Sequence, residues 1–495
     1  MQHDDEIISK FFNPKTVAVI GASTDVNSPG YVTFKNFVDN IKNDVFRGKV
    51  YPVNIKGEEL LGYKIYRSIL DIPESVDLAV VIIPARFVPD VMEQIGKKGT
   101  QAVVIISAGF SEIGNVELEK RVISIAKKYG IRIIGPNGLG VLDSYSGVDT
   151  LFLPEKKRTK DNRELVGTPR PKPGYISFLT QSGAFGIAVL DYMAGEGIGL
   201  RRFVSYGNKA DIDEIDMLEY LSKDEKTRVI LIYSETIKRG REFVEIAKKV
   251  SVVKPIIILK SGRTEAGARA AASHTAAIAG SDVIYDVAFK QAGVLRAEDM
   301  EHMFDMAKAL IFQRPLRGKN IAILTDGGGA GVMATDAAEM MGLNIIKLPE
   351  ETYNKFEELK KEGVLPKFAT NVNPVDLTGS ASPEMFEIAA DVLLRDPHID
   401  GLVVIALHHV PMLDDTITDR FINLMKKYNK PIVACDIGSQ EYACYLRDSF
   451  DEVGIPAYPT PERAVRAMHA LATYGEYLKQ RGFLDEYIKR WKPPE

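Results

Sequence analysis

Thr16-Val-Ala-Val-Ile20 runs without interruption into Gly21-Ala-Ser-Thr-Asp25. Short side chains and β-branched residues followed by a small-residue turn read as a buried parallel strand delivering the chain to a helix start. Four further apolar runs follow: Lys49-Val-Tyr-Pro-Val53, Leu78-Ala-Val-Val-Ile-Ile83, Ala102-Val-Val-Ile-Ile106 and Ile131-Arg-Ile-Ile134. Polar–apolar mixtures such as Val88–Lys98 and Val116–Tyr129 separate them. Apolar strands alternating with helical patterns predict a parallel sheet covered on both faces, a Rossmann-like domain over residues 1–145. The dinucleotide fingerprint Gly-x-Gly-x-x-Gly is absent. Strand two instead ends in Tyr51-Pro-Val-Asn-Ile-Lys56, whose lysine suits a phosphate better than a ribose hydroxyl. A phosphorylated nucleotide other than NAD fits these residues; a purely structural turn is the competing reading.

Outward from this stretch, three more strand ends carry unusual loops: Ile83-Pro-Ala85, Ser107-Ala-Gly-Phe-Ser-Glu112 and Gly135-Pro-Asn-Gly-Leu-Gly140. Ligands of open parallel sheets lie beyond the carboxyl ends of strands, so four such loops at one edge predict a site. Residues 146–174 are charged and proline-rich and read as an exposed linker or insertion. A second α/β unit is expected over 175–312. Its strand Tyr175-Ile-Ser-Phe-Leu179 enters Thr180-Gln-Ser-Gly-Ala-Phe-Gly186, with Ser182 as helix cap and free backbone N–H groups for an anion. Helix Asp299–Ile311 and the linker Gln313–Gly318 lead to a third unit over 318–495, where Asn320–Leu324 enters Thr325-Asp-Gly-Gly-Gly-Ala-Gly331. The second and third units resemble two flavodoxin-like domains.

Length and composition bound the function. At 495 residues the chain has room for about three domains. It is 45% hydrophobic and 26% charged, with a net charge of −4, which gives no basic footprint for nucleic acid. Cys435 and Cys444 read as reduced thiols. The acidic start MQHDDEIISKFF has no apolar signal core, and no apolar run approaches the ~20 residues that span a bilayer. A cytoplasmic enzyme or binding protein is expected.

Among seven histidines, His274 stands apart in Ser261–Asp282, SGRTEAGARAAASHTAAIAGSD. No large apolar residue lies between Ser261 and Ala277, so the segment has little surface with which to anchor itself and is expected to move. An imidazole acts as base, ligand or nucleophile. Taken alone, the segment equally fits a surface histidine on a small-residue helix. Beside the helix start at Ser182-Gly183, a nucleophilic His274 points to a phosphohistidine, with Glu235 accepting the other ring N–H. His408-His409 is a possible metal pair, but no supporting ligand spacing accompanies it.

In order, Gly21-Ala-Ser23, Tyr51-Pro-Val-Asn54, Ser107-Ala-Gly-Phe110, Gly135-Pro-Asn-Gly138, Gln181-Ser-Gly183, Gly207-Asn208, Ser273-His-Thr-Ala-Ala277 and Asp326-Gly-Gly-Gly329 resemble the ADP-forming acetyl-CoA synthetase family. These enzymes are relatives of succinyl-CoA synthetase, and the match is to the α subunit over nearly the whole chain. The resemblance implies the reaction acyl-CoA + ADP + phosphate ⇌ acid + CoA + ATP, through an acyl phosphate and a phosphohistidine at His274 supported by Glu235. It assigns Gly21, Ala22, Ser23, Asn54, Lys56, Pro84 and Ser107 to CoA or acetyl-CoA. Asn137, Ser182, Gly183 and Asn208 would surround the acyl phosphate. Thr325–Gly329 would add a phosphate-facing helix end or a subunit contact. The three α/β units leave no stretch of ~200 residues for an ATP-grasp module, and no Gly-x-x-x-x-Gly-Lys-[Ser/Thr] loop is present. The resemblance therefore implies a separate ATP-grasp β subunit in an α2β2 heterotetramer, binding ADP or ATP and Mg²⁺. A small carboxylic acid would be the substrate. Two departures from the family pattern touch the CoA contacts: the sequence before Lys56, where a proline is common, and the long 151–173 insertion.

Other classes are weighed beside this one. An acyl-CoA sensor without turnover would need neither His274 nor Glu235. A protein acyltransferase would carry an acetyltransferase signature, which is absent. An NAD oxidoreductase fails on the fingerprint.

Overall fold

The computed structural model describes residues 2–269 and 282–494. His274 and the centre of its segment, including the expectation that it moves, lie outside the described residues. The chain divides into two compact units, Met1–Val250 with Ile258–Ala292, and Ser251–Ile257 with Gly293–Glu495.

The first unit is built on two large sheets. The first is fully parallel, in the order Lys49–Val53, Thr16–Ile20, Leu78–Val81, Ala102–Ile105, Arg132–Ile134. Its central strands are buried along their whole length, which is why they read as unbroken apolar runs. Helices occupy Pro29–Lys42, Val88–Lys98 and Val116–Tyr129. The chain goes one way from Thr16–Ile20 to strand two and the other way to Leu78–Val81. That reversal opens a crevice at the carboxyl ends of these two neighbours.

The second sheet is mixed. Pro173–Thr180 lies between Leu200–Ser205 and Val229–Ser234, parallel to both. Gly140–Asp143 then adds antiparallel to Leu200–Ser205, and Val148–Asp149 antiparallel to Gly140–Asp143. This differs from the sequence reading in two ways. Gly140–Asp143, expected with the first domain, belongs to the second sheet. The stretch 146–174, expected as an exposed connector, begins with a sheet strand and buries Thr150 and Leu151. Its hairpin, Lys156–Arg158 against Glu164–Val166, is exposed. The physical reason is Asp143. Its fully buried carboxylate accepts from Arg201 Nη1 (2.6 Å) and Arg202 Nε (2.9 Å), and Arg201 continues to Asp224 (3.1 Å). A buried carboxylate needs such partners, and they come only from the second sheet.

The second unit is a parallel sheet in the order Asn344–Ile345, Asn320–Thr325, Gly401–Ile405, Ile432–Cys435, Ala457–Tyr458, with Val375–Asp376 also on Asn320–Thr325. Helix Met300–Phe312, expected with the preceding domain, belongs here. It packs on Pro461–Gln480, and Arg463 holds Asp305 through Nε (3.0 Å) and Nη2 (2.8 Å). Tyr458 Oη donates to Asp305 O at 2.8 Å. Gln313, expected in a linker, donates to Gly454 O at 2.6 Å. Burial pushes the Asp305 carboxyl up to about 6 even though Arg463 pulls the other way.

Replacing Arg463 by Met should therefore strand a buried carboxylate and destabilise this unit by about 3 kcal/mol at neutral pH. Asp305 ionises near pH 4 in an unfolded chain but near 6 in the fold, so its ionisation costs stability as pH rises through that window. The deficit of Arg463→Met relative to wild type should accordingly shrink below about pH 5. Denaturant midpoints at pH 4.5 and 7.5 check this; an equal deficit at both would refute it.

Candidate functional site

A cavity of about 860 Å³ lies in the first unit, at the carboxyl ends of both sheets. Gly21, Pro84, Ser107 and Asn137 reach it from the loops of the first sheet, and Ser182, Gly183, Asn208 and Glu235 from those of the second. Sequence reasoning had named all eight. Ala22, Ser23, Asn54 and Lys56 do not line it.

The turn after strand one explains the difference. Gly21 has φ +103°, and a Cβ there would stand 2.0 Å from Ile82 O, so only glycine closes this turn. Asn54 Nδ2 donates to Ala22 O (2.7 Å) and its Oδ1 accepts from Lys56 N (3.0 Å). Ser23 Oγ accepts from Asp25 N (3.1 Å). Asn54 and Ser23 thus shape the turn, while Lys56 is exposed. Beyond the turn, Ser28 caps helix Pro29–Lys42, and Ser28, Pro29 and Gly30 line the cavity. Pro29 carries no N–H and the Tyr31 N–H is bonded to Ser28 Oγ (3.1 Å), so this helix start offers an anion its dipole, worth about 0.3–1 kcal/mol, and at most the Gly30 N–H.

On the opposite wall, Ser182 Oγ accepts from Phe185 N (3.3 Å) and caps helix Gly183–Gly195, leaving Gly183 and Ala184 at the cavity. Two helix starts therefore serve one space. Gln181 Oε1 accepts from both Glu235 N and Thr236 N at 3.0 Å, fixing the loop that presents Glu235. Lys238 supplies the ammonium of the lining, donating to Asn208 O (3.1 Å) and Lys209 O (3.4 Å). Burial, with help from Lys209, lowers its pKa.

Asn208 is the most heavily bonded of the expected residues. Its Nδ2 lies 2.6 Å from Glu112 Oε2, 2.9 Å from Glu119 Oε2 and 3.1 Å from Ser111 Oγ. Its Oδ1 accepts from Asn137 Nδ2 at 3.2 Å. Burial works against the Glu112 carboxylate, but hydrogen bonds from Asn208, Gly109 and Phe110 outweigh it and hold the pKa below the ordinary range. Asn208 binds loops together, with little amide capacity left for a ligand.

Sequence reasoning put Glu112 and Gln181 in the site loops without giving either a role, and missed Lys238 as well as Phe152, Leu153 and Ile187, which supply apolar wall. The apolar run Leu151-Phe-Leu153 inside an otherwise polar stretch was the available signal. No comparable signal marks Lys238 among the many charged residues around it.

The Gly-rich turn Thr325–Gly329 and the histidine pair lie in the second unit. His408 Nδ1 is 2.9 Å from Asp436 Oδ1, and Asp326 accepts from Leu407 N at 3.1 Å through both oxygens. Among the described residues no group of three or more His, Cys, Asp or Glu converges to hold a metal ion. No described helix is long and apolar enough to cross a membrane.

Three family models match the chain: a CoA binding domain over residues 15–144, a succinyl-CoA ligase like flavodoxin domain over 173–310 and a ligase-CoA domain over 321–476. The α subunit of acetate–CoA ligase [ADP-forming] I from Pyrococcus furiosus is 43% identical over 95% of this chain and 98% of its own. Acetate–CoA ligase [ADP-forming] I of Archaeoglobus fulgidus is 39% identical over 99% of this chain, which spans 67% of that longer polypeptide. Among solved structures, the dinucleotide forming acetyl-coenzyme A synthetase 1 of Ca. Korarchaeum cryptofilum, in complex with phosphate and ADP, superposes with a TM-score of 0.85. It is 38% identical, over 97% of this chain and 98% of its own.

The Asp326 carboxyl yields a prediction of its own. Burial, reinforced by Asp436 and Asp376, pushes it up to about 7. In an unfolded chain it ionises near pH 4, so its folded state loses stability as pH rises from about 4 to 7. Asp326→Asn cannot ionise. Its stability relative to wild type should climb across that window by on the order of 4 kcal/mol. Parallel pH profiles for the two proteins would refute the assignment.

Proposed function

Because the chain belongs to the family of ADP-forming acetate–CoA ligases, we propose that the cavity is where an acyl-CoA, phosphate and an acyl phosphate are bound and interconverted. The observation that carries this reading is the convergence, in one cavity, of loops from both sheets whose residues the sequence had singled out. The residues fit the ligand: a glycine turn that lets backbone approach, two helix starts for anionic groups, an ammonium at Lys238, and an apolar wall at Phe152 and Ile187.

The reaction runs in balanced steps. A phosphate oxygen attacks the acyl carbonyl, the C–S bond breaks, and CoA leaves as thiolate. The helix start at Gly183 and the ammonium of Lys238 stabilise the charge on the resulting acyl phosphate. The His274 imidazole then attacks phosphorus, the acyl C–O–P linkage breaks at P–O, and the carboxylate leaves. Glu235 accepts the remaining ring N–H of His274, fixing the tautomer and favouring the phosphorylated imidazole. Asn137 and Ser107 order the floor, and Asn208 holds it in place through Glu112 and Glu119. Lys56, exposed beside the Gly21 turn, meets the outer phosphates of CoA. The phosphoryl group passes to ADP on a second polypeptide of ATP-grasp type, assembled with this chain as α2β2. The Pyrococcus relative is a subunit by name, which supports that reading. Mg²⁺ belongs with the nucleotide on that partner. The acid is a small carboxylic acid of the acetate class.

The test is a labelling experiment. Acetyl-CoA with radiolabelled phosphate should leave acid-labile, base-stable phosphate on wild-type chain and none on His274→Asn. Glu235→Gln should slow the labelling by about 10²-fold. Equal labelling of His274→Asn and wild type would remove the phosphohistidine, and acyl-CoA binding without any label would point to the sensor instead.

A further inference from the structure

Lys209 is buried to within 1% of its side-chain surface, lies behind the cavity rather than in its lining, and has φ +51°, a left-handed conformation that costs a lysine about 1–2 kcal/mol. Its ammonium donates to Glu214 Oε2 at 3.0 Å and Oε1 at 3.3 Å, and Glu214 is as deeply buried. An ion pair in such a place is no stronger than an apolar pair of similar volume, so stability alone does not account for it. The third contact of Lys209 Nζ is the carbonyl oxygen of Thr236, at 2.5 Å.

That carbonyl belongs to the residue after Glu235. Ser234 Oγ also donates to it, at 3.0 Å, while Gln181 Oε1 accepts from the N–H groups of both Glu235 and Thr236. The polar backbone atoms on either side of the Glu235 side chain are thus held from two directions. The Lys209 backbone also touches a residue of the lining, since its carbonyl accepts from Lys238 at 3.4 Å. One residue fastens the loop of the carboxylate with its side chain and contacts the ammonium of the cavity with its main chain.

We propose that Lys209 is a positioning residue for phosphoryl transfer: the buried Lys209–Glu214 pair holds the Thr236 carbonyl, and through it sets where Glu235 stands. This rests on the reading that Glu235 supports the phosphorylated histidine. A carboxylate on an untethered loop would still let acyl-CoA bind. It would meet the imidazole less often, so the loss falls on turnover.

The experiment uses the full chain with its nucleotide-binding partner, acetyl-CoA and radiolabelled phosphate, and follows label on the chain and ATP formed. Lys209→Met alone leaves the Glu214 carboxylate buried without its partner and risks unfolding, so the informative protein is Lys209→Met/Glu214→Leu, which removes both charges. It should melt within a few degrees of wild type, keep KM for acetyl-CoA within about twofold, and lose about 10- to 100-fold in kcat. Placed in a Glu235→Gln background, the same double change should cost less than about twofold more, because the group it positions is already gone. A double variant with wild-type kcat would overturn the proposal, as would a full additional loss in the Glu235→Gln background. Wild-type turnover in Glu235→Gln alone would instead sink the role of Glu235, an outcome distinct from either.

Discussion

In the first unit, two sheets meet backbone against backbone, and the cavity exists because of that contact. A Cβ on Gly207 would sit 2.2 Å from Pro136 O, so the chain passes there only without a side chain. The approach is stitched by main-chain hydrogen bonds: Asn208 N to Pro136 O (2.9 Å), Ala210 N to Gly135 O (3.1 Å) and Ile212 N to Ile133 O (3.1 Å). Strand ends of both sheets are thereby aimed into one space. A ligand there meets loops from two separate Gly-rich turns, each at the end of a strand that is buried for other reasons.

Charge buried behind this seam does a second job. The Asp143–Arg201–Arg202–Asp224 network and the Lys209–Glu214 pair are expensive to desolvate and weak as sources of stability. What they provide is uniqueness. Asp143 finds its guanidinium partners only if Gly140–Asp143 adds to the second sheet in one register. Arg202 in turn lies against the stacked rings of Phe12 and Tyr220, which belong to the N-terminal segment and to helix Glu214–Ser222. Removing the charges would leave an apolar edge free to slip.

The parallel cores were legible because a strand buried on both faces must be apolar throughout, and the residues of Thr16–Ile20 or Gly401–Ile405 satisfy that in the sequence itself. The cavity loops were legible because small residues and proline at strand ends have few other uses. What stayed hidden depended on partners far away in sequence. Gly140–Asp143 looks like any apolar strand until Arg201 and Arg202 are placed beside it. Helix Met300–Phe312 is apolar on a face that either neighbouring unit would accept, and its allegiance is decided by Arg463, 158 residues from Asp305. Lys238 lies in charged surroundings where spacing carries no signal, and Asn54, chosen for a ligand, is spent on the Ala22 carbonyl.

The amide of Asn208 also sets a clock. Asparagine is among the least durable side chains at high temperature, losing ammonia to become aspartate. At this position the product would be a third carboxylate set against Glu112 and Glu119, where the present arrangement depends on a donor between two acceptors. The loops it ties would repel one another, and the seam of the cavity would open from the inside.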